Sequence, residues 1–101
     1  MAIMRKWVPT TDLMMLRRMG KLSEELGELQ AVAARCIIQG IDETDPASGM
    51  SNRCRLEFEI ADVLAQCRVT IEMLELNRVT IHNREAVKVD QMIEWEALFK
   101  P

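Results

Sequence analysis

A chain of 101 residues with 49% apolar side chains, 29% charged ones and a formal net charge of −3 has the length of one domain, residues 1–101. The negative balance excludes a nucleic-acid binder that works through a basic surface, and no apolar run approaches the ~20 residues of a membrane span. Cys36, Cys54 and Cys67 show neither CxxC nor Cys/His ligand spacing, which argues against a disulfide framework or a zinc site and for reduced thiols in a cytoplasmic protein.

The segment to Pro9 is basic and lacks the hydrophobic stretch of a signal peptide. Its Trp7 is expected either to strap the apolar faces that follow or to stack beside a nucleotide base. Thr10, Thr11 and Asp12 offer capping oxygens, so a helix should start there and run to Gln39, with Gly40 in the C-terminal capping position. From Ile41 to Ser51 proline, glycine, serine and aspartate break the periodicity, which marks a connector, or a mobile cover if it borders a site. Ser48 or Ser51 can cap a second helix, expected to reach about Leu76. A third should start at Thr80 or Asn83 and end at Phe99, carrying Val89, Met92 and Ile93 on its apolar positions and Trp95 as a seal. With no strand-like alternation the class is all-α, a bundle of about three main helices. Its apolar faces exceed what one short chain can cover, so the bundle should be completed by oligomerisation as a homodimer or homotetramer.

Two stretches share a design. Glu25-Leu26-Gly27-Glu28-Leu29 and Glu59-Ile60-Ala61-Asp62-Val63 both read acid, aliphatic, small, acid, aliphatic. At roughly 100° per residue, Leu26, Leu29 and Ala33 lie within about 40° of Leu22, and Ile60, Val63 and Cys67 lie equally close to Leu56. On the same wheels Glu25 and Glu59 fall about 60° to one side, and Glu28 and Asp62 about 120°. Each acid pair thus begins at the edge of an apolar stripe. If the stripes pack together, four carboxylates converge, and oxygen donors alone select Mg²⁺ or a similar hard cation. Gly27 and Ala61 would leave room beside them. A single acidic pair at i, i+3 is ordinarily a solvated helix face. Two pairs with equal spacing and equal angular offset favour a site. Arg17, Arg18 and Lys21, just ahead of the first pair, fit either a solvated face or polyphosphate contact.

On these residues the chain resembles the MazG-like, all-α nucleoside triphosphate pyrophosphohydrolases, whose signature is EExxE followed by ExxD. Glu24-Glu25-Leu26-Gly27-Glu28 supplies the first motif, preceded by Lys21-Leu22, and Glu59-Ile60-Ala61-Asp62 the second. The resemblance spans roughly residues 10 to 99. The linker between the motifs is long for the family. Lys88 stands where relatives often place a phosphate-binding lysine, but Gln91 and Glu94 replace the basic residues usual after it.

The resemblance implies Mg²⁺-dependent cleavage between the α- and β-phosphates of a nucleoside triphosphate, yielding monophosphate and pyrophosphate, with Mn²⁺ a plausible substitute. Glu25, Glu28, Glu59 and Asp62 would hold the metal, and Glu24 would position or deprotonate the attacking water. Lys21 and Lys88 would contact phosphates as point charges. Trp7, Phe58 and Gln66 are candidates for the base side, Gln66 because it lies one turn beyond Asp62. Rival readings are a phosphoribosyl-ATP or dUTP pyrophosphohydrolase with the same metal acids, and a non-catalytic helical adaptor working through Met-rich faces. A di-iron bundle calls for Glu-x-x-His pairs, and His82 has Val79 three residues before it.

Overall fold

The structure, a computed structural model, describes residues 6–101; the sequence at 1–5, part of the segment read above as unlike a signal peptide, lies outside them. Among the described residues three helices make up the fold: α1 (Leu13–Gln39), α2 (Asn52–Met73) and α3 (Arg78–Ala97). Among the described residues the single β feature is an isolated antiparallel bridge between Thr44 and Ser51. The chain is all-α. None of the helices is long and apolar enough to cross a membrane. Contacts divide the chain at Thr70 into two compact units.

In the first unit α1 starts where the capping residues call for it: the Asp12 carboxylate accepts the Met14 N–H at 3.2 Å. It stops at Gly40, whose N–H reaches the Cys36 carbonyl and whose φ of 103° favours glycine. The start of α2 is capped by Ser51, whose Oγ accepts the Cys54 N–H at 3.1 Å. Ser48 does not cap it; its hydroxyl donates to Asp45 and accepts from Met50.

The connector is tied down rather than free to act as a mobile cover. Asp45 and Met50 close its neck with a backbone bond of 2.8 Å. Asp42 takes a two-pronged bond from Arg53 at 2.7 and 3.2 Å. Asn52 is fully buried and donates to both the Gln39 side chain and the Gly40 carbonyl. These bonds run between residues eleven to thirteen apart, so they clamp the end of α1 to the start of α2.

The two helices of this unit run antiparallel. Arg18 donates to Gln66 near one end, Glu25 meets Glu59 and Asp62 in the middle, and Gln39 meets Asn52 at the other end. The seam between them is formed by Arg18, Leu22, Glu25, Leu29, Val32 and Cys36 against Asn52, Leu56, Glu59, Val63, Gln66 and Thr70, all buried or half-buried. On the wheel its centre sits about 50° to the acid side of Leu22 and of Leu56. The apolar stripes do not pack on each other squarely, as the wheel alone suggests. Glu25 and Glu59 lie in the seam instead of at its edge, and Leu26 and Ile60 are left 48% and 43% exposed.

The offset has the same sense on both helices, and the helices are antiparallel, so the displaced apolar rows share one side of the hairpin. That side carries Met19, Leu26, Ala33 and Ile37 from α1, with the polar Gln30 among them, and Ile60 and Leu64 from α2, all exposed. The opposite side carries Lys21, Glu28 and Arg35 from α1 and Arg55 and Asp62 from α2. Val32 is the one fully buried apolar side chain among the described residues.

In the second unit the last turn of α2 ends at Met73, three residues before the expected Leu76. Glu75 adopts φ 51°, its N–H bonds to the Glu72 carbonyl, and the Leu76 N–H bonds to Ile71. This is the paired C-terminal capping pattern that usually employs glycine. Asn77 follows and caps α3 by accepting the Thr80 N–H at 3.0 Å, so α3 begins at Arg78 rather than at Thr80 or Asn83. No residue of α3 is buried. Trp95 is half-exposed and meets Phe99 edge-on at 5.1 Å, one turn along the same helix, instead of sealing a core.

Candidate functional site

At mid-hairpin, Glu25, Glu59 and Asp62 each bring a carboxylate oxygen to within 4.8 Å of the others. Helix spacing accounts for the grouping: Glu59 and Asp62 are three apart on one face of α2, and antiparallel pairing sets Glu25 of α1 opposite them. Glu59 is 8% exposed. One oxygen of Glu59 and one of Glu25 are buried with no hydrogen-bond partner. Buried acceptors without a donor are costly unless a cation or a water serves them. Burial first, then the neighbouring carboxylates of Glu28 and Asp62, push the Glu25 carboxyl above its ordinary pKa, while Lys21 pulls the other way.

Such a donor set fits a hard divalent cation. The donors are oxygens only, from two helices, part buried and part facing solvent, which suits an ion that keeps several waters. Glu28 stands beside Glu25 on the acid side but is exposed and outside the group of three. Three of the four expected ligands are therefore gathered, with the fourth at the rim. Gly27 and Ala61 do not make room there: on the wheel both point about 160° away from the seam, and a side chain at Gly27 would meet nothing within 4 Å.

The other predicted residues are more scattered. Glu24 is exposed and paired with Lys21 at 3.3 Å, outside the group of three. Lys21 reaches the cluster electrostatically, through its effect on Glu25. Gln66 is half-buried in the seam with its carbonyl occupied by Arg18 Nη2, so it joins the helices one turn beyond Asp62. Trp7 is 94% exposed and straps nothing, and Phe58 is 57% exposed. Lys88 belongs to α3 in the second unit, on an exposed apolar row with Val89, Met92 and Ile93.

Sequence reasoning passed over three linked residues, of which Arg55 borders the cluster. Arg55, one turn before Glu59, lies 3.6 Å from its Oε1 and 4.0 Å from Oδ2 of Asp45. Arg35 approaches the same Asp45 oxygen at 3.7 Å. Asp45 is 4% exposed and is held ionised below the usual carboxylate range, chiefly by the Ala47 N–H, with Ser48, Arg35 and Arg55 adding to the effect. The i, i+4 spacing of Arg55 and Glu59 was a readable signal. The role of Asp45 was not, since it depends on how the connector folds back. Comparison with protein-family models, with curated proteins and with solved structures found no match.

Proposed function

We propose that this chain is a Mg²⁺-dependent nucleoside triphosphate pyrophosphohydrolase of the MazG-like kind. The observation that carries the reading is the meeting of Glu25, Glu59 and Asp62 within 4.8 Å, two of them with a buried oxygen that has no partner, at the residues of the EExxE and ExxD motifs. Glu25, Glu59 and Asp62 hold the cation, with Glu28 completing the set from the rim. When bound, Mg²⁺ supplies the charge that offsets a triphosphate and activates water. One water is consumed as the bond between the α- and β-phosphates breaks, giving monophosphate and pyrophosphate. Glu24 is near enough in sequence to turn toward that water once released from Lys21, which then faces the phosphates.

The same reading assigns the exposed apolar side of the hairpin to a second copy of the chain. Leu26, Ile37, Ile60 and Leu64 are exposed large apolar residues on one side of the hairpin, the kind of surface that marks association, and pairing hairpins through it would yield a four-helix arrangement with acidic sides outward. The test is a panel of canonical and damaged nucleoside triphosphates incubated with Mg²⁺ and followed by chromatography. Monophosphate and pyrophosphate in equal amounts are expected from at least one substrate, and neither product with Glu59→Gln or Asp62→Asn. Full turnover in both variants would remove the site assignment, and no product across the panel would shift the reading to a binding protein.

A further inference from the structure

The hairpin's arginines differ in how far their donors are committed. Arg53 spends its guanidinium on Asp42 with bonds of 2.7 and 3.2 Å, and Arg18 donates to Gln66. Arg35 and Arg55 are different. Asp45 draws both in, at 3.7 and 4.0 Å, and Arg55 also faces Glu59 at 3.6 Å, yet neither makes a hydrogen bond among the described residues. Their side chains are 42% and 27% exposed, so ten N–H donors, five on each guanidinium, are positioned but unspent and reachable from solvent.

The anchor itself is fixed. Asp45 accepts from the Ala47 N–H at 3.3 Å and from the Ser48 hydroxyl at 3.1 Å, and a backbone bond of 2.8 Å closes its loop on Met50. It therefore orients the arginines by charge without using up their donors. Both arginines belong to the acid side of the hairpin, and Arg55 precedes Glu59 by one turn, about 6 Å along the axis. A polyphosphate whose charge is partly met by a cation held at Glu25, Glu59 and Asp62 would extend its end into the reach of this pair.

We propose that Arg55, assisted by Arg35, binds the terminal phosphates of the substrate, directing the pyrophosphate end toward the connector between α1 and α2. The proposal rests on the pyrophosphohydrolase reading and adds to it a residue pair and a direction. Arginine suits the task because its planar fork donates two parallel bonds to a phosphate. It also gives the connector a purpose: Asp45 folds back to hold the pair in place.

The test is calorimetric binding of inorganic tripolyphosphate in the presence of Mn²⁺, a probe that needs no knowledge of the base, together with Mn²⁺ binding alone followed by electron paramagnetic resonance. Arg55→Gln should weaken tripolyphosphate about tenfold or more, the usual worth of a charge-assisted bond pair, and Arg35→Gln by a smaller factor. Mn²⁺ binding should hold or tighten in Arg55→Gln, because a competing cation leaves Glu59. Arg55→Lys should recover part of the loss, and Arg53→Gln should bind the probe as the wild type does. Equal tripolyphosphate affinity in wild type and Arg55→Gln overturns the proposal and leaves the pyrophosphohydrolase reading standing. Loss of Mn²⁺ and tripolyphosphate binding together in both Arg55→Gln and Arg55→Lys overturns it in favour of a purely structural role. A wild-type protein that binds neither Mn²⁺ nor tripolyphosphate overturns both readings.

Discussion

The two sides of the α1–α2 hairpin are built from the same two helices and have opposite characters. One side exposes Leu26, Ile37, Ile60 and Leu64; the other gathers Glu25, Glu59 and Asp62 with Arg55 beside them. A self-sufficient small domain turns its apolar stripes inward and leaves its acids in water. Here the seam is rotated by about 50° toward the acids on both helices, so carboxylates, two amides and a threonine share the interior with a few aliphatic residues. The contrast teaches that the seam gives up apolar burial to bring carboxylates together, as the proposed site requires, and leaves the apolar side as the place where the proposed association would recover stability.

The largest effect should come from charging the apolar side. Leu26→Asp combined with Ile60→Asp is expected to convert the proposed assembly to a monomer in sedimentation velocity and to lower its melting temperature steeply, whereas Glu28→Gln on the other side should leave the proposed assembly intact. A wild-type chain that sediments as a stable monomer would break the contrast outright. Next in size is the response to metal. At a hundredfold excess over its dissociation constant, Mg²⁺ should stabilise the wild type by about 2.7 kcal/mol and Glu59→Gln hardly at all, read from urea unfolding with and without the ion.

A smaller change is expected where the seam is locked. Asn52→Ala removes two donated bonds from a fully buried position and should cost about 1–3 kcal/mol in urea unfolding, since the Gly40 carbonyl and Gln39 lose their donor. The finest discrimination is a pH effect at Glu25. Its pKa is raised in the folded chain, by burial first and then by Glu28 and Asp62, so the folded state holds this proton more tightly than the unfolded one. That contribution is fully present below the unfolded value and is lost as pH rises through the folded one. Without divalent ions Glu25→Gln should therefore raise the melting temperature at pH 7.5, with the gain shrinking as pH falls toward the ordinary glutamate range. An unchanged or lowered melting temperature at pH 7.5 would contradict the buried, repulsive setting of that carboxylate.

Much of this arrangement was legible in the chain, and the exceptions have physical reasons. The helical class and the span of α1 followed from periodicity with Asp12 and Gly40 at its ends, because caps and repeats are local. The equal offsets of Glu25 and Glu59 led to their meeting. The direction in which the seam rotates did not follow, because a wheel ranks hydrophobicity and cannot see that polar residues such as Asn52, Gln66 and Thr70 would find hydrogen-bond partners in Gln39, Arg18 and the helix backbone. The end of α2 was misplaced because Glu75 takes a backbone conformation that sequence reserves for glycine. Arg35 and Arg55 escaped notice as a pair because what joins them is Asp45, ten residues from either.

The clamp at the connector also bears on how the chain folds. Asn52 to Gln39 and Gly40, and Arg53 to Asp42, join residues close in sequence, so closing that turn costs little chain entropy and can occur early. Pairing then spreads along the hairpin toward Glu25 and Glu59, where like charges meet, and closes its longest loop beyond them at Arg18 and Gln66. A cation binding there would act on contacts formed late in that order. Mg²⁺ should accordingly slow unfolding while leaving the rate of folding nearly unchanged, so a metal-loaded chain is one that persists longer rather than one that forms faster.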